Sequence, residues 1–453
     1  MKVMFFITSL LEDELEKRQL PLGVGYIGAY LENHLQDIEV IMTASMKDIF
    51  KEKPDILGIS SVSQCFEQAK SVAELVKKEL GIPIVLGGYH ISSLPHTLPQ
   101  CFDIGVIGDG EKPMLEAVKI LKEEKTLDPD KLEKIDGICF HNNDGKITVT
   151  TVTDSIDSID MLPFPKRNIH RGARNIHMFT SRGCIYRCKY CASSQHWRKF
   201  HEHSSEYVVS ELKYLINEYD TTSIFLLDDL FFANRKRLYA IAVLLEKEGL
   251  ISRLTFHGFI TSNLAKRDIL GVAKQIGFRS IRFGAETGSD RLLKEMKGKW
   301  ASVENHQRCI DLCQELGIEV RAAFMFGTPG ETEEDIQLTH QFLKRNTEVL
   351  KIDGFYLTTP IPGTPYWQLA MQKGLVSEGE DMDWSKLNLD ILKKESFDFN
   401  KVIYLNEENI PLDILIEYIR EFQNEFKLHS VGYQLKEYSP LAEGRPLVKG
   451  QLT

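Results

Sequence analysis

The chain has 453 residues, about three times the ~150 that serve as a prior for one domain, which excludes a single small module. Its 43% hydrophobic and 26% charged residues, with 31 Gly and 16 Pro, exclude wholesale disorder and collagen-like repetition. The net charge of −10 provides no general field toward nucleic acid or an anionic membrane, and no run approaches the ~20 apolar residues that span a bilayer, so a cytoplasmic protein is expected.

From residue 1 to 125, short β-rich runs alternate with amphipathic stretches. Strands are predicted at Lys2 to Thr8, Glu39 to Met42, Ile56 to Ser60, Ile84 to Leu86 and Ile104 to Ile107, with helices at Tyr26 to His34, Phe66 to Leu80 and Pro113 to Lys122. The opening Met1-Lys-Val-Met-Phe-Phe-Ile-Thr is a buried strand by composition, too short for a signal peptide. This βα alternation predicts an α/β fold with a Rossmann-like, doubly wound parallel sheet, whose ligand crevice lies at the carboxyl ends of its strands. Two Gly-rich turns fall there: Gly87-Gly88-Tyr89-His90 and Gly108-Asp109-Gly110-Glu111.

Residues 126–175 are expected to form a linker with a β-hairpin around Asp144-Gly145, followed by the extended Leu162-Pro-Phe-Pro. A second βα series occupies 176–370, with predicted strands at Ile176 to Thr180, Ser223 to Leu227, Leu254 to Ile260, Ser280 to Gly284, Glu319 to Phe326 and Gly354 to Thr358. Six consecutive units predict a partial (β/α)6 barrel with its chemistry at the C-terminal ends of the strands. The segment 371–453 is small and mainly helical, with one clear helix from Leu412 to Phe426, and is assigned to substrate contact or an interface.

Eight cysteines are too few for a disulfide scaffold of this length, and three crowd together in Ser181-Arg-Gly-Cys184-Ile-Tyr-Arg-Cys188-Lys-Tyr-Cys191. Three thiolates on a short loop can hold three irons of a cubane cluster and leave the fourth iron open. A zinc site completed by His196, and a purely structural cluster, are the alternatives. Cys309 and Cys313 stand four apart on a predicted helix as packing residues, while Cys65, Cys101 and Cys139 are isolated. Strand ends carry further polar motifs: Phe225-Leu-Leu-Asp228-Asp229, Gly284-Ala-Glu286-Thr-Gly288-Ser289, and the turns Gly327-Thr-Pro329-Gly330-Glu331 and Pro360-Ile-Pro362-Gly363.

The cysteine spacing, with the aromatic Tyr190 directly before the third cysteine, resembles the radical S-adenosylmethionine (SAM) superfamily. The resemblance implies that Cys184, Cys188 and Cys191 ligate a 4Fe-4S cluster whose unique iron chelates the amine and carboxylate of SAM. One electron, from a donor such as flavodoxin or ferredoxin, then cleaves SAM to a 5′-deoxyadenosyl radical. It further implies that Tyr190 lies beside the adenine, or is a packed loop aromatic. Asp228 and Asp229 are expected at the methionyl amine, with helix capping the alternative for one of them, and Glu286 at the ribose or methionyl end, or as a satisfied structural carboxylate. Arg321 is expected to pair with the SAM carboxylate, or to form a surface or interdomain ion pair.

Pro21-Leu-Gly-Val-Gly-Tyr-Ile-Gly, Gly87-Gly-Tyr-His90 and Asp103-Ile-Gly-Val-Ile-Gly-Asp-Gly-Glu111 resemble the cobalamin-binding domain that precedes the radical barrel in a large class of these enzymes. By that resemblance Ser60, Ser61, Gly87, Gly88, Gly108, Gly110 and Glu111 surround the corrin and its nucleotide tail, with His90 at a corrin amide or stabilising its turn; a retained sheet that is empty or reads substrate is the alternative. The Asp-x-His-x-x-Gly element that replaces the lower axial base is absent, as in many relatives. The implied activity is methylation of an unactivated carbon or phosphinate of a small molecule or peptide. A cobalamin-dependent cyclisation, ring contraction or rearrangement, and a non-catalytic cobalamin or iron–sulfur sensor, are the alternatives.

Overall fold

Strand β1 (Lys2–Ile7) buries every residue after the first, a continuous apolar run suited to the middle of a parallel sheet covered on both faces. In the computed structural model, which describes residues 1–8, 21–152, 156, 158–167, 175–197, 199–379, 381–387 and 398–428, β1 pairs in parallel with β2 (Glu39–Thr43) and β3 (Ile56–Ser60). Parallel pairing continues through β4 (Ile84–Gly87) to β5 (Ile104–Val106), giving the order β2-β1-β3-β4-β5. Strand order reverses between β1 and β3, which opens a crevice at their carboxyl ends. Helices Leu22–His34 and Glu111–Glu124 cover one face through Leu31, Met114 and Val118, and Phe66–Leu80 covers the other through Val72 and Val76.

The hairpin expected within a linker is instead part of this sheet. Its strands β6 (Ile138–His141) and β7 (Ile147–Val149) add antiparallel to β5, because Ile138, Cys139 and Phe140 are fully buried against the sheet's core.

Strands β8 (Asn175–Met178), β11 (Ser223–Leu226), β12 (Thr255–Phe259), β13 (Phe278–Glu286), β14 (Glu319–Phe326) and β15 (Lys351–Leu357) form a second, wholly parallel sheet in sequence order. Between β8 and β11, β9 (Ser181–Arg182) and β10 (His201–Glu202) make a small antiparallel pair. Along β14, Val320, Ala322, Phe324 and Phe326 are buried, while the alternate residues Glu319, Arg321, Ala323 and Met325 are only partly so. That period of two sends one set outward beneath the helices and the other into the hollow of a partial barrel.

The C-terminal segment serves both sheets. Trp384 and Leu405 pack into the same core as β1 and β3, whereas Ile419 and Phe422 of helix Leu412–Glu425 pack against the barrel. The rest of the expected 371–453 unit, at 380, 388–397 and from 429 onward, lies outside the described residues. Among the described residues, no helix is long and apolar enough to cross a membrane.

Candidate active site between the sheet and the barrel

The cysteine loop leaves the barrel from a turn that the neighbouring strand fixes. Asp228, just beyond β11, is fully buried and accepts hydrogen bonds from Thr180 N, Thr180 Oγ1 and Ser181 N at 2.6, 2.6 and 2.7 Å. Arg237 holds the same turn from outside, donating to the Thr180 carbonyl at 2.6 Å and the His203 carbonyl at 2.7 Å. Burial pushes the Asp228 carboxyl up to about 6 against the opposing influence of Arg237 and these donors. Both its oxygens are therefore committed to the protein, which corrects the expectation that Asp228 contacts SAM. Asp229, the next residue, opens onto the cavity described below and bonds Ser193, so of the two acids it is the one with access to a ligand.

Past Gly183, whose φ of 85° suits glycine, the loop carries three free, half-buried thiols at Cys184, Cys188 and Cys191. Burial raises Cys184 to about 11 and Cys188 to about 12, and the Cys191 thiol raises both further. Only a cationic partner offsets that cost and holds all three as thiolates, as iron or zinc does. Among the described residues no three His, Cys, Asp or Glu groups converge as around a single ion. His196 does not turn toward the thiols' chemistry but packs between Tyr89 and Trp197, with ring centroids 4.4 and 4.8 Å away.

Glu286 ends β13 with φ 62°, a conformation uncommon for a residue with a Cβ. Its carboxylate accepts from the Tyr190 hydroxyl at 2.8 Å and pairs with Lys297 at 3.0 Å. Gly284 permits this arrangement, since a Cβ there would collide with Glu286 Oε1. Tyr190 and Glu286 thus meet each other on the inner side of the loop. Arg321 lies elsewhere: it is opposite Arg282 in the register, four residues or about 13 Å short of Glu286, and it pairs with Asp353 at 2.6 Å and Glu319 at 3.1 Å. Two carboxylates already satisfy it near the N-terminal end of its strand, so the expected SAM contact gives way to a structural ion pair.

A cavity of about 500 Å³ separates the carboxyl ends of the first sheet from the top of the barrel. Ser60, Gly87, Gly88, Gly108, Gly110 and Glu111 line it from the sheet, and His177, Ser181, Arg182 and Asp229 from the barrel. Gly87 and Gly108 have nothing within 4 Å of the place where a Cβ would sit, so a ligand can approach the backbone itself. Gly88 instead makes room for the chain: with φ 101°, it lies against the Ser61 carbonyl. Ser61 does not line the cavity and its hydroxyl donates to the Val62 carbonyl at 3.0 Å. His90 also faces away, fully buried between Phe66 at 3.7 Å and Trp384 at 4.6 Å, with Ser63 on Nδ1 at 3.1 Å. Burial lowers it to about 3, so it is a neutral core histidine and not a cofactor contact.

Residues that sequence reasoning left unassigned complete the wall. Arg182 donates to Asp109 at 2.6 Å and to Glu111 at 2.7 Å, joining barrel to sheet across the cavity edge. Burial opposes its charge, but Glu111 and Asp109 outweigh that and hold the guanidinium above its ordinary range. Its only sequence mark was its place two residues before Cys184. Buried polar atoms on the wall, among them Glu111 Oε2, Ser181 Oγ and His196 Nδ1, have no hydrogen-bond partner in the protein. Open glycine backbone together with unmet polar atoms fits a large cofactor rimmed by amide groups, as cobalamin is.

Comparison with known proteins agrees with this geometry. Residues 178–343 match the model of the radical SAM superfamily and residues 10–118 that of the B12 binding domain. An uncharacterized methyltransferase of Pyrococcus horikoshii is 30% identical over 389 residues, covering 81% of each chain. Cytidylyl-2-hydroxyethylphosphonate methyltransferase of Streptomyces wedmorensis is 23% identical over 83% of this chain and 82% of its own, and an anaerobic magnesium-protoporphyrin IX monomethyl ester cyclase of Rubrivivax gelatinosus is 24% identical over 72% and 62%. In fold, the chain is similar to the radical SAM methyltransferase TsrM of Kitasatospora setae, solved with cobalamin and a [4Fe-4S] cluster, at a TM-score of 0.72 and 17% identity over 98% of this chain and 93% of that one. With glycines of its first sheet and strand ends of its barrel lining one cavity, the chain belongs to the cobalamin-binding branch of the radical SAM superfamily.

Proposed function

We propose that this protein is a methyltransferase that modifies an unactivated carbon or a phosphinate centre of a small molecule or peptide in the reducing cytoplasm. The observation that carries the reading is the shared cavity: the open glycines of the first sheet and the acid at the end of β11 face the same space. When bound, the iron–sulfur cluster, SAM and cobalamin supply hydrogen-atom abstraction and a transferable methyl group.

The chain's own residues bind, orient and exclude. Cys184, Cys188 and Cys191 would hold the cluster on a loop whose direction Asp228 sets. Asp229 would take the ammonium of SAM, offsetting a positive charge in a site poor in water. Tyr190 and Glu286 would contact the adenosyl portion, and Lys297, 3.0 Å from Glu286, orients its carboxylate. The corrin would lie against Gly87 and Gly108, with Tyr89, His196 and Trp197 closing the edge to water.

Anaerobically reconstituted protein, given SAM and a reductant, tests the assignment through its products. Methyl transfer yields 5′-deoxyadenosine and S-adenosylhomocysteine together. 5′-Deoxyadenosine alone would instead support a ring-forming reaction, the second reading favoured by the cyclase relative, and neither product would indicate a sensor.

A further inference from the structure

Tyr89 stands where the two halves of the molecule meet. It opens the short helix Tyr89–Ser93 directly after the glycines that end β4, so its backbone belongs to the first sheet. Its side chain reaches the barrel's cysteine loop, where its ring packs on His196 with centroids 4.4 Å apart. Hydrogen bonds with Ser193 and the Trp197 indole hold the phenol there, and Tyr89 lines the cavity together with Trp197 and Asp229. Burial and the Asp229 charge push the phenol up to about 12, so at neutral pH it keeps its proton and can donate it to a hydrogen bond.

Ser193 is the link to the acid. It lies two residues past Cys191, and its hydroxyl donates to the Asp229 carboxylate. A hydroxyl can accept one hydrogen bond while donating another, so Tyr89, Ser193 and Asp229 form a chain from the glycine turn of the sheet to the acid beyond β11. Asp228, the residue before, is fixed by three hydrogen bonds, which leaves the direction of the Asp229 side chain to Ser193.

Resting on the reading that Asp229 takes the ammonium of SAM and that the corrin lies against Gly87, we infer that Tyr89 is a positioning residue through which an occupied corrin cradle orients Asp229 for SAM. A ligand against Gly87 confines the ring two residues on. With the phenol confined, Ser193 has a fixed partner, and Asp229 loses fewer orientations when SAM arrives. Such coupling is reciprocal, so SAM tightens cobalamin by the same factor.

The test uses full-length protein whose cluster is reconstituted anaerobically and left oxidised, so that SAM binds without being cleaved. SAM is titrated by calorimetry with and without hydroxocobalamin. In the native chain cobalamin should tighten SAM by about fivefold or more. Tyr89→Phe keeps the ring on His196 without the hydroxyl, and should carry native iron and cobalt while its SAM affinity no longer responds to cobalamin. Ser193→Ala, which leaves Tyr89 whole, should lose the response as well. A native chain whose SAM affinity ignores cobalamin, or a Tyr89→Phe protein that keeps the full response, overturns the inference alone. So does a Tyr89→Phe protein that loses iron or cobalt, since the hydroxyl would then hold the loop or the corrin directly. Asp229→Asn that binds SAM as tightly as the native chain overturns instead the placement of the ammonium on which the inference rests.

Discussion

Asp228 shows how a buried acid can serve a site without touching a ligand. Its three accepted hydrogen bonds set the direction in which the cysteine loop leaves β8. Asp228→Asn keeps the size but turns an amide donor toward donors, so stability should fall by about 2–3 kcal/mol, read by thermal denaturation, with less iron retained after reconstitution. Glu331 is the other telling carboxyl: fully buried, it is raised to about 8 by burial, against the Gly327 amide that donates to it at 2.5 Å. The folded protein therefore binds a proton that the unfolded chain, titrating near ~4.3, has already released. The stability this group contributes is complete below that lower value and is lost as pH rises through about 8. Glu331→Gln cannot ionise, so its stability relative to the native chain should climb across this window by up to roughly 1.4 kcal/mol per pH unit and level off above it. Denaturant titrations of both proteins at a series of pH values check this, and a constant difference would contradict it.

At the end of β4, two adjacent glycines have opposite reasons to be there. Gly87 leaves open space toward the cavity, while Gly88 has φ 101° and the Ser61 carbonyl where a Cβ would go. Gly87→Val should fold with stability within about 0.5 kcal/mol of the native chain but bind little cobalamin, because the branched side chain occupies the ligand's space. Gly88→Ala should instead lose about 1–3 kcal/mol by forcing a strained backbone. Thermal denaturation and cobalt content, measured on both, separate the two effects; equal cobalt in Gly87→Val and the native protein would show that the cofactor does not lie there.

Two devices hold the sheet and the barrel as one molecule. The C-terminal segment places Trp384 in the first core and Phe422 in the second, and Arg182 reaches from the barrel to Asp109 and Glu111 of the sheet. Arg182 is only 7% exposed and Glu111 2%, so removing the cation strands a buried carboxylate. Arg182→Gln should cost about 3–5 kcal/mol in chemical denaturation, and adding Glu111→Gln should restore part of it. Failure of the second change to restore anything would mean that packing on Tyr26, 4.9 Å from the guanidinium, and not charge, is what Arg182 contributes.

Order of elements, the two βα series and the three-thiol loop were legible along the chain, because periodicity and short spacings are local properties. The hairpin at 138–149 was legible as a hairpin, but its membership in the first sheet depended on burial against β5. Which of two neighbours faces the cavity was not legible: Asp229 rather than Asp228, Ser60 rather than Ser61, Tyr89 rather than His90. Neighbouring side chains on a strand or turn point apart, and only the packed sheet says which direction is inward. Arg321 could be read either as a SAM contact or as an ion pair until its register placed it beside Asp353, and Arg182 carried no assignment until the fold brought in partners 71 and 73 residues away. Sequence by itself determined which chemical groups this protein carries and in what order; only the tertiary structure decided which of them share a cavity, since that depends on contacts between residues far apart along the chain.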